Sequence, residues 1–327
     1  MSWNRRVLLY LGLLFAVGPL ACHAGVKVFG GTQPVQWLVY AVAPQSLCAL
    51  NFAYTNTQKA FLEPGFCSQP VVGGWNGGGL NLEVLLAIKP DVVVLEESTR
   101  RNPVAEENLQ KAGIRLQKVS LQSLDEYPSA FEQTGGLCGD PNRGKMLSAE
   151  CRKILNDVRS VIPAGEISAR PSVYYAGGAD GLETVGGEKG HAQVIGYAGG
   201  RNIFPAEGMK KGRFQVSPEQ IMAADPDVIL VRDGDLFRNI FRDAKWSALK
   251  AVRNHRVYRI PGMPVNWFDQ PPSCMQILAA RWLSEKLYPG RNSDFNAFVG
   301  RFYRIFLQIE LSAERRQLLE NAAVKGM

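Results

Sequence analysis

Hydrophobic positions change period along this 327-residue chain, and the changes mark out its elements. An unbroken apolar run from Val7 to Leu20 follows Arg5 and Arg6 and stops at the small-residue stretch Ala21, Cys22, His23, Ala24. That is the layout of a secretory leader over residues 1–24, with cleavage expected after Ala24. The run is about 14 residues, short of the roughly 20 that cross a bilayer as a helix, and no later segment is long and apolar enough to do so. Acylation at Cys22 is the rival reading. It ranks second because Pro19 stands where a lipobox ordinarily has Leu.

The most informative pattern is an internal repeat. Asn81 to Glu97, NLEVLLAIKPDVVVLEE, aligns without gaps with Ser217 to Asp233, SPEQIMAADPDVILVRD. Each copy reads as helix, turn, strand: a polar N-cap (Asn81, Ser217), a glutamate in the first turn (Glu83, Glu219), an apolar helical face, and a proline (Pro90, Pro226) that ends the helix. The runs Val92 to Leu95 and Val228 to Val231 lack polar alternation, as suits strands buried on both faces of a parallel sheet. Copies separated by 136 residues imply two similar lobes, since a solenoid repeats at a far shorter period.

Further strands are expected at Val26 to Phe29, Leu47 to Phe52, Leu116 to Val119, Ser172 to Tyr175 and Arg256 to Ile260, with helices between several of them. Between the repeat copies, Leu147, Cys151, Ile154, Leu155, Val158 and Val161 recur at helical spacing after Asp140 and Pro141, although Gly144 weakens the first turn. A helix of about 20 residues is about 30 Å long, enough to serve as a rigid spine for both lobes. The expected fold is therefore α/β, with two Rossmann-like lobes of parallel sheet joined by a single long α-helix. The boundaries are 25–140 for the N-terminal lobe, 141–165 for the linking helix and 166–327 for the C-terminal lobe. A crossover helix inside one larger domain leaves the repeat unexplained.

Loss of the leader removes two arginines and no acids, which lowers the formal charge from +7 to +5. Scattered charge of this size serves solubility, and without a basic run or stripe it argues against nucleic-acid binding. Cys48, Cys67, Cys138, Cys151 and Cys274 remain, an odd number, so at least one thiol is unpaired in an oxidising compartment. Proximity suggests the pairs Cys48 with Cys67 and Cys138 with Cys151. The second needs a helix that starts near Gly144, because a start at Asp140 or Pro141 carries Cys151 about 15 Å away. No cysteine or histidine pair has metal-ligand spacing.

The order and wording of four segments carry a specific resemblance: VVGGWNGGGLNLEVLLAIKPDVVVLEE (71–97), SVYYAGGADGLETVGGEKGHAQVIGYAGGRNIF (172–204), the second repeat copy, and GMPVNWFDQPPSCMQILAARWLSEKLYP (262–289). Together they resemble the helix-linked (class III) periplasmic binding proteins that serve ABC importers of iron siderophores, haem and vitamin B12. The resemblance spans nearly the whole mature chain, apart from Asn51 to Ser68 and the cysteine set, which match no pattern carried by that family. It implies a periplasmic, monomeric receptor with no cofactor, holding a metal chelate between two lobes and delivering it to permease subunits. It also implies that Glu83 and Glu219 dock into arginines of the two permease subunits. Helix-dipole stabilisation accounts for the same glutamates without a partner.

In open parallel sheets the ligand lies beyond the carboxyl ends of the strands, so the loops that follow strands supply the candidates. Trp75 among glycines offers a platform for a flat ligand face, or packing over the helix that follows. Arg100, Arg101 and Arg232 follow the two repeat strands, and a guanidinium fork suits the carboxylate or catecholate oxygens of an anionic chelate. One of the neighbours Arg100 and Arg101 is expected in a surface ion pair. Tyr175 reaches the cleft rim, and His191 contacts the chelate or its metal, as the resemblance implies. Trp267 is assigned to the ligand and Phe268 to the core. His255, in a basic turn, has no role. So few histidines rule against a bare zinc or manganese site, so the metal arrives already chelated.

A ferric siderophore is the first expectation for the ligand. Haem, a corrinoid or a nickel or cobalt chelate is the alternative. An enzyme that processes a metal chelate on the same fold is the alternative of another class, but no G-x-S-x-G, Walker A or H-E-x-x-H motif supports turnover.

Overall fold

A computed structural model of the chain describes residues 25–76, 79–187, 190–204, 212–291 and 294–324. The expected leader, Cys22 included, lies outside the described residues. No helix among the described residues is long and apolar enough to cross a membrane.

The N-terminal lobe is built on parallel strands β1 (Val28–Gly30), β2 (Val92–Glu96) and β3 (Arg115–Val119), in the order β1-β2-β3. Single parallel bridges from Val28 to Leu47 and from Leu50 to Val71 continue the sheet on the other side of β1. The strand expected over Leu47 to Phe52 is thus reduced to two bridges. The reason lies in Asn51, whose backbone N–H donates to Gln36 Oε1 at 2.7 Å and whose side-chain amide donates to Gly30 O at 2.8 Å. Side chains there take the place of a ladder.

The C-terminal lobe holds β4 (Ser172–Ala176), β6 (Arg201–Asn202), β8 (Val228–Val231) and β9 (Val257–Arg259), all parallel in the order β6-β4-β8-β9. An antiparallel ribbon of β5 (Glu183–Gly186) and β7 (Gly212–Gln215) stands beside this sheet, with Glu183 opposite Gln215. The repeat becomes the helices Leu82–Ile88 and Pro218–Ala224 followed by β2 and β8, each flanked by strands on both sides. Both helices end at a left-handed residue, Lys89 (φ 52) and Asp225 (φ 35), one position ahead of the proline. The chain order reverses at β1/β2 in one lobe and at β4/β8 in the other, so each sheet has one switch point.

The linking helix is Pro141–Ser160, with the Asp140 carboxylate accepting the Arg143 N–H at 3.0 Å as N-cap. It stops short of residue 165 because Pro163 cannot continue a helix. Gly144, poor for helix propensity, is required by packing: a Cβ there would lie 2.6 Å from Phe131 O on the preceding helix, Tyr127–Leu137. Leu147, Cys151, Ile154, Leu155 and Val158 form the buried stripe. The Arg143 guanidinium binds Ala41 O at 2.9 and 2.7 Å and Ile305 O at 2.8 Å.

Ile305 belongs to a segment that leaves the C-terminal lobe. Helix Phe295–Phe302 and the π-helical turn Tyr303–Leu307 run back to the N-terminal lobe, where Phe306 meets Phe131 at 5.7 Å and Tyr303 meets Phe61 at 6.1 Å between ring centroids. The main core therefore runs through both lobes, and the end of the expected 166–327 lobe packs on its neighbour. Two further bonds join the lobes: Leu124 N–H donates to Gln193 Oε1 at 2.8 Å, and the Tyr197 hydroxyl donates to Asp125 Oδ2 at 2.5 Å.

All five described cysteines are free thiols, which corrects both expected pairings. For Cys138 and Cys151 the geometric condition fails, because the helix begins at Pro141 rather than near Gly144. Cys48 turns its thiol to Val28 O at 3.3 Å.

Candidate functional site

At the switch point of the C-terminal sheet, β4 ends at Ala176 and runs into Gly177 and Gly178, while β8 ends at Val231 and runs into Arg232. The Arg232 N–H bonds Ala176 O at 3.1 Å, which fixes the start of its side chain between the two strands. Gly177 and Glu183 exchange two backbone bonds, of 2.6 and 3.2 Å, and so hang the ribbon over this edge. Four side chains then meet from distant parts of the chain. Arg213 of β7 donates from Nη1 to Glu183 Oε1 at 2.6 Å and from Nη2 to Asp269 Oδ2 at 2.5 Å. Arg232 Nη1 comes within 3.3 Å of the same Glu183 Oε1. That nitrogen is buried and finds no aligned acceptor.

Asp269 anchors the cluster from below. Its carboxylate is fully buried, whereas the Arg213, Arg232 and Glu183 side chains are 22, 22 and 27% exposed. The Tyr175 hydroxyl donates to Asp269 Oδ1 at 3.0 Å. His191 sets its Nδ1 3.2 Å from the Asp269 carbonyl and 3.8 Å from the carboxylate, with the imidazole partly open to solvent. Burial pushes the Asp269 carboxyl above the usual range, against the pull of Arg213 and His191. Burial, reinforced by the Asp269 charge, raises the Tyr175 phenol.

In the N-terminal lobe, β1 runs through Gly30 and Gly31 to Thr32 and the helix Gln33–Val42. A Cβ on Gly30 would sit 2.7 Å from the Gln36 backbone, so the strand-to-helix turn admits only glycine. The Trp75 backbone N–H donates to Gly31 O at 2.7 Å, and its indole N–H donates to Arg100 O at 3.3 Å. Trp75, Asn76, Ser98, Arg100 and Arg101 line a hollow of about 540 Å³. Arg101 forks onto Glu106 at 3.1 and 2.9 Å, so it is the surface ion pair of the two neighbours, and Arg100 stays exposed on the hollow. Burial raises the Glu96 carboxyl at the end of β2.

Of the residues picked from sequence, Arg232 and His191 join one cluster at the C-terminal lobe, and Arg100 and Arg101 border the N-terminal hollow with Trp75, which is only 4% exposed and packs in the core of that lobe as the packing alternative had it. Two assignments are corrected. Trp267 is 2% exposed and donates its indole N–H to Met263 O at 2.9 Å, so it belongs to the core. Phe268 packs beside it, 5.7 Å from the Tyr175 ring. Tyr175 is not at the rim but fully buried, since it lies on β4 and faces Asp269. His255 stacks on Phe241 at a left-handed turn and takes no part in the bonds of the cluster.

Sequence reasoning missed Glu183, Arg213 and Asp269 as site residues. The first two sit on strands of four residues, too short for alternation to register, and only the basic wording around Arg213 hinted at it. Among the described residues no group of three or more His, Cys, Asp and Glu fits a metal ion. Glu83 and Glu219 are exposed in the first turns of the two repeat helices, and the Ser217 hydroxyl holds the Glu219 carboxyl below its usual range.

A family model for periplasmic binding protein matches residues 50–264. The molybdate-binding protein MolA of Haemophilus influenzae is 28% identical over 249 residues, covering 69% of this chain and 70% of that protein. The vitamin B12-binding protein of Salmonella paratyphi A is 27% identical over 220 residues, covering 66% of this chain and 75% of that protein. Among solved structures, an ABC transporter solute binding protein from Sulfurospirillum deleyianum superposes with a TM-score of 0.81 at 32% identity, over 90% of this chain and 94% of that one. On the two-lobed fold, the switch-point geometry and these matches, the chain belongs to the periplasmic binding protein family, in its helix-linked form.

Proposed function

We propose that this protein is the exported receptor of an ABC importer and that it captures an anionic metal complex, a ferric siderophore or similar ferric chelate, between its lobes. The observation that carries the reading is the convergence of Arg213 and Arg232 at the switch point of the C-terminal sheet, 2.6 and 3.3 Å from one carboxylate oxygen. Guanidinium forks recognise the oxygens of carboxylates and catecholates, and they keep their charge at any working pH. Trp75, Trp267 and Tyr175 are all buried, at 4, 2 and 0% exposure, which weighs against all three aromatics that suited haem or a corrinoid. The leader at 1–24 supports export. Exposed Glu83 and Glu219, one on each lobe, support docking of a monomer onto two permease subunits, where paired charges fix register.

A second reading, capture of a small metal oxyanion, is favoured by the similarity to a molybdate-binding protein. Tryptophan fluorescence of the mature protein, titrated with ferric siderophores, ferric citrate, molybdate, haem, cobinamide and nickel-histidine, decides between them. The expected result is saturable quenching by a ferric chelate, returned unchanged, and weakened about tenfold or more by Arg232→Ala. Tighter binding of molybdate selects the second reading. Tighter binding of haem or cobinamide overturns both, and release of an altered product identifies an enzyme.

A further inference from the structure

We infer that Glu183 is an internal competitor for the cargo: its carboxylate holds the place between Arg213 and Arg232 that an anionic group of the ligand takes, and so sets a charge threshold for binding. The inference rests on the reading of this cluster as the ligand site.

Three features separate Glu183 from an ordinary structural partner. First, one oxygen serves two cations. Glu183 Oε1 accepts from Arg213 at 2.6 Å, which leaves Arg232 Nη1, 3.3 Å away, buried without an aligned acceptor. A buried unpaired guanidinium N–H is costly, and a ligand bearing several acceptor oxygens satisfies both arginines where one carboxylate oxygen does not. Second, the two carboxylates differ in freedom. Asp269 is fully buried and tied to Tyr175, whereas the Glu183 side chain is 27% exposed and the bonds of that residue to Gly177 run through its backbone. Returning a part-exposed carboxylate to water costs little, whereas removing a buried one does not. Third, a Cβ at Gly177 would lie 3.0 Å from Glu183 Oε1, so a larger residue there would crowd the carboxylate.

The consequence is selection by charge. A monoanion or a neutral donor set meets the Glu183 charge and gains too little from the arginines to replace it. A ligand with two or more negative charges, such as a polycarboxylate or a metal oxyanion, gains enough. This is discrimination by a built-in repulsive element as much as by attraction.

The test is calorimetric titration of the mature full-length chain and of Glu183→Gln, Glu183→Ala and Asp269→Asn with acetate, sulfate, molybdate, citrate and ferric citrate, after matching of far-UV spectra. The expected result is that Glu183→Gln and Glu183→Ala bind the multiply charged anions about fivefold or more tightly and begin to accept acetate, while Asp269→Asn binds more weakly. Gain of binding by the Glu183 variants alone, with none by the natural chain, also upholds the competitor role. Weaker or unchanged binding by both Glu183 variants, with the natural chain binding, overturns the competitor role and leaves the anion-receptor reading intact. No binding by any protein overturns both.

Discussion

Tyr175 donates its hydroxyl to Asp269 Oδ1 at 3.0 Å and thereby joins strand β4 to the loop that follows β9, directly beneath the arginine pair. The buried carboxylate is the fixed point from which Arg213 is aimed. Asp269→Asn keeps the Tyr175 bond but leaves the Arg213 guanidinium short of one negative partner. The expected loss of stability is about 3 kcal/mol, read as a lower urea midpoint at unchanged slope. Tyr175→Phe, which removes one buried hydrogen bond, is expected to cost about 1 kcal/mol in the same assay.

Trp267 tests the division between core and cleft. It is 2% exposed and bonded to Met263 O. Trp267→Phe is expected to lower stability by about 2 kcal/mol through the lost bond and the smaller ring, while ligand affinity at saturating fold stays within about twofold. A large fall in affinity with little change in melting temperature would return Trp267 to the ligand.

The bond between lobes at Asp125 gives a pH dependence with a definite sign. Burial raises the Asp125 carboxyl, but hydrogen bonds from Tyr197 and Arg159 outweigh it and hold the group below the usual carboxylate range. The folded chain therefore binds this proton less readily than the unfolded chain does. Its contribution is present above the ordinary aspartate range, near pH 4, and is lost as pH falls through the lower folded value. Asp125→Asn is expected to reduce stability at pH 7 by about 1 kcal/mol, and by less at pH 3, as measured by thermal melting at both pH values.

Glu83 and Glu219 are exposed in the first turns of their helices. Charge reversal at either, Glu83→Lys or Glu219→Lys, is expected to leave ligand affinity unchanged and to lower uptake into permease-bearing vesicles by about tenfold, and reversal of both to abolish it. Undiminished uptake by the double variant would reduce both residues to helix-dipole partners.

The thiols give a chemical check on the fold. Burial pushes Cys138 and Cys274 up to about 12 and Cys48 up to about 11, and it raises Cys67 and Cys151 as well. Little thiolate exists at pH 8, so labelling of the native protein is expected to be slow, with the part-exposed Cys48 and Cys67 leading. In urea without reductant, all five thiols of the mature chain are expected to react. Recovery of only three, or of one, would restore one or both of the pairings suggested by proximity.

The legible parts of this molecule were those written in short-range pattern. The repeat, with its N-caps, its prolines after Lys89 and Asp225, and its unbroken valine strands, determined by itself that there are two α/β lobes with parallel sheets, because capping and periodicity are local properties of the chain. The same pattern located the loops after β2 and β8, and hence Arg100 and Arg232. Tertiary structure alone decided the rest. Arg213, Glu183 and Asp269 are separated by tens of residues and meet only because a two-stranded ribbon leans on Gly177. Trp267 and Phe268 both face the core from a single loop, which no alternation announces. The return of Tyr303 to Leu307 onto the N-terminal lobe, and the separation of the cysteines by a helix that starts at Pro141, depend on which surfaces become available once both lobes are formed. Apolar burial carries no direction in sequence, so the chain states which residues go inside but not which of them meet.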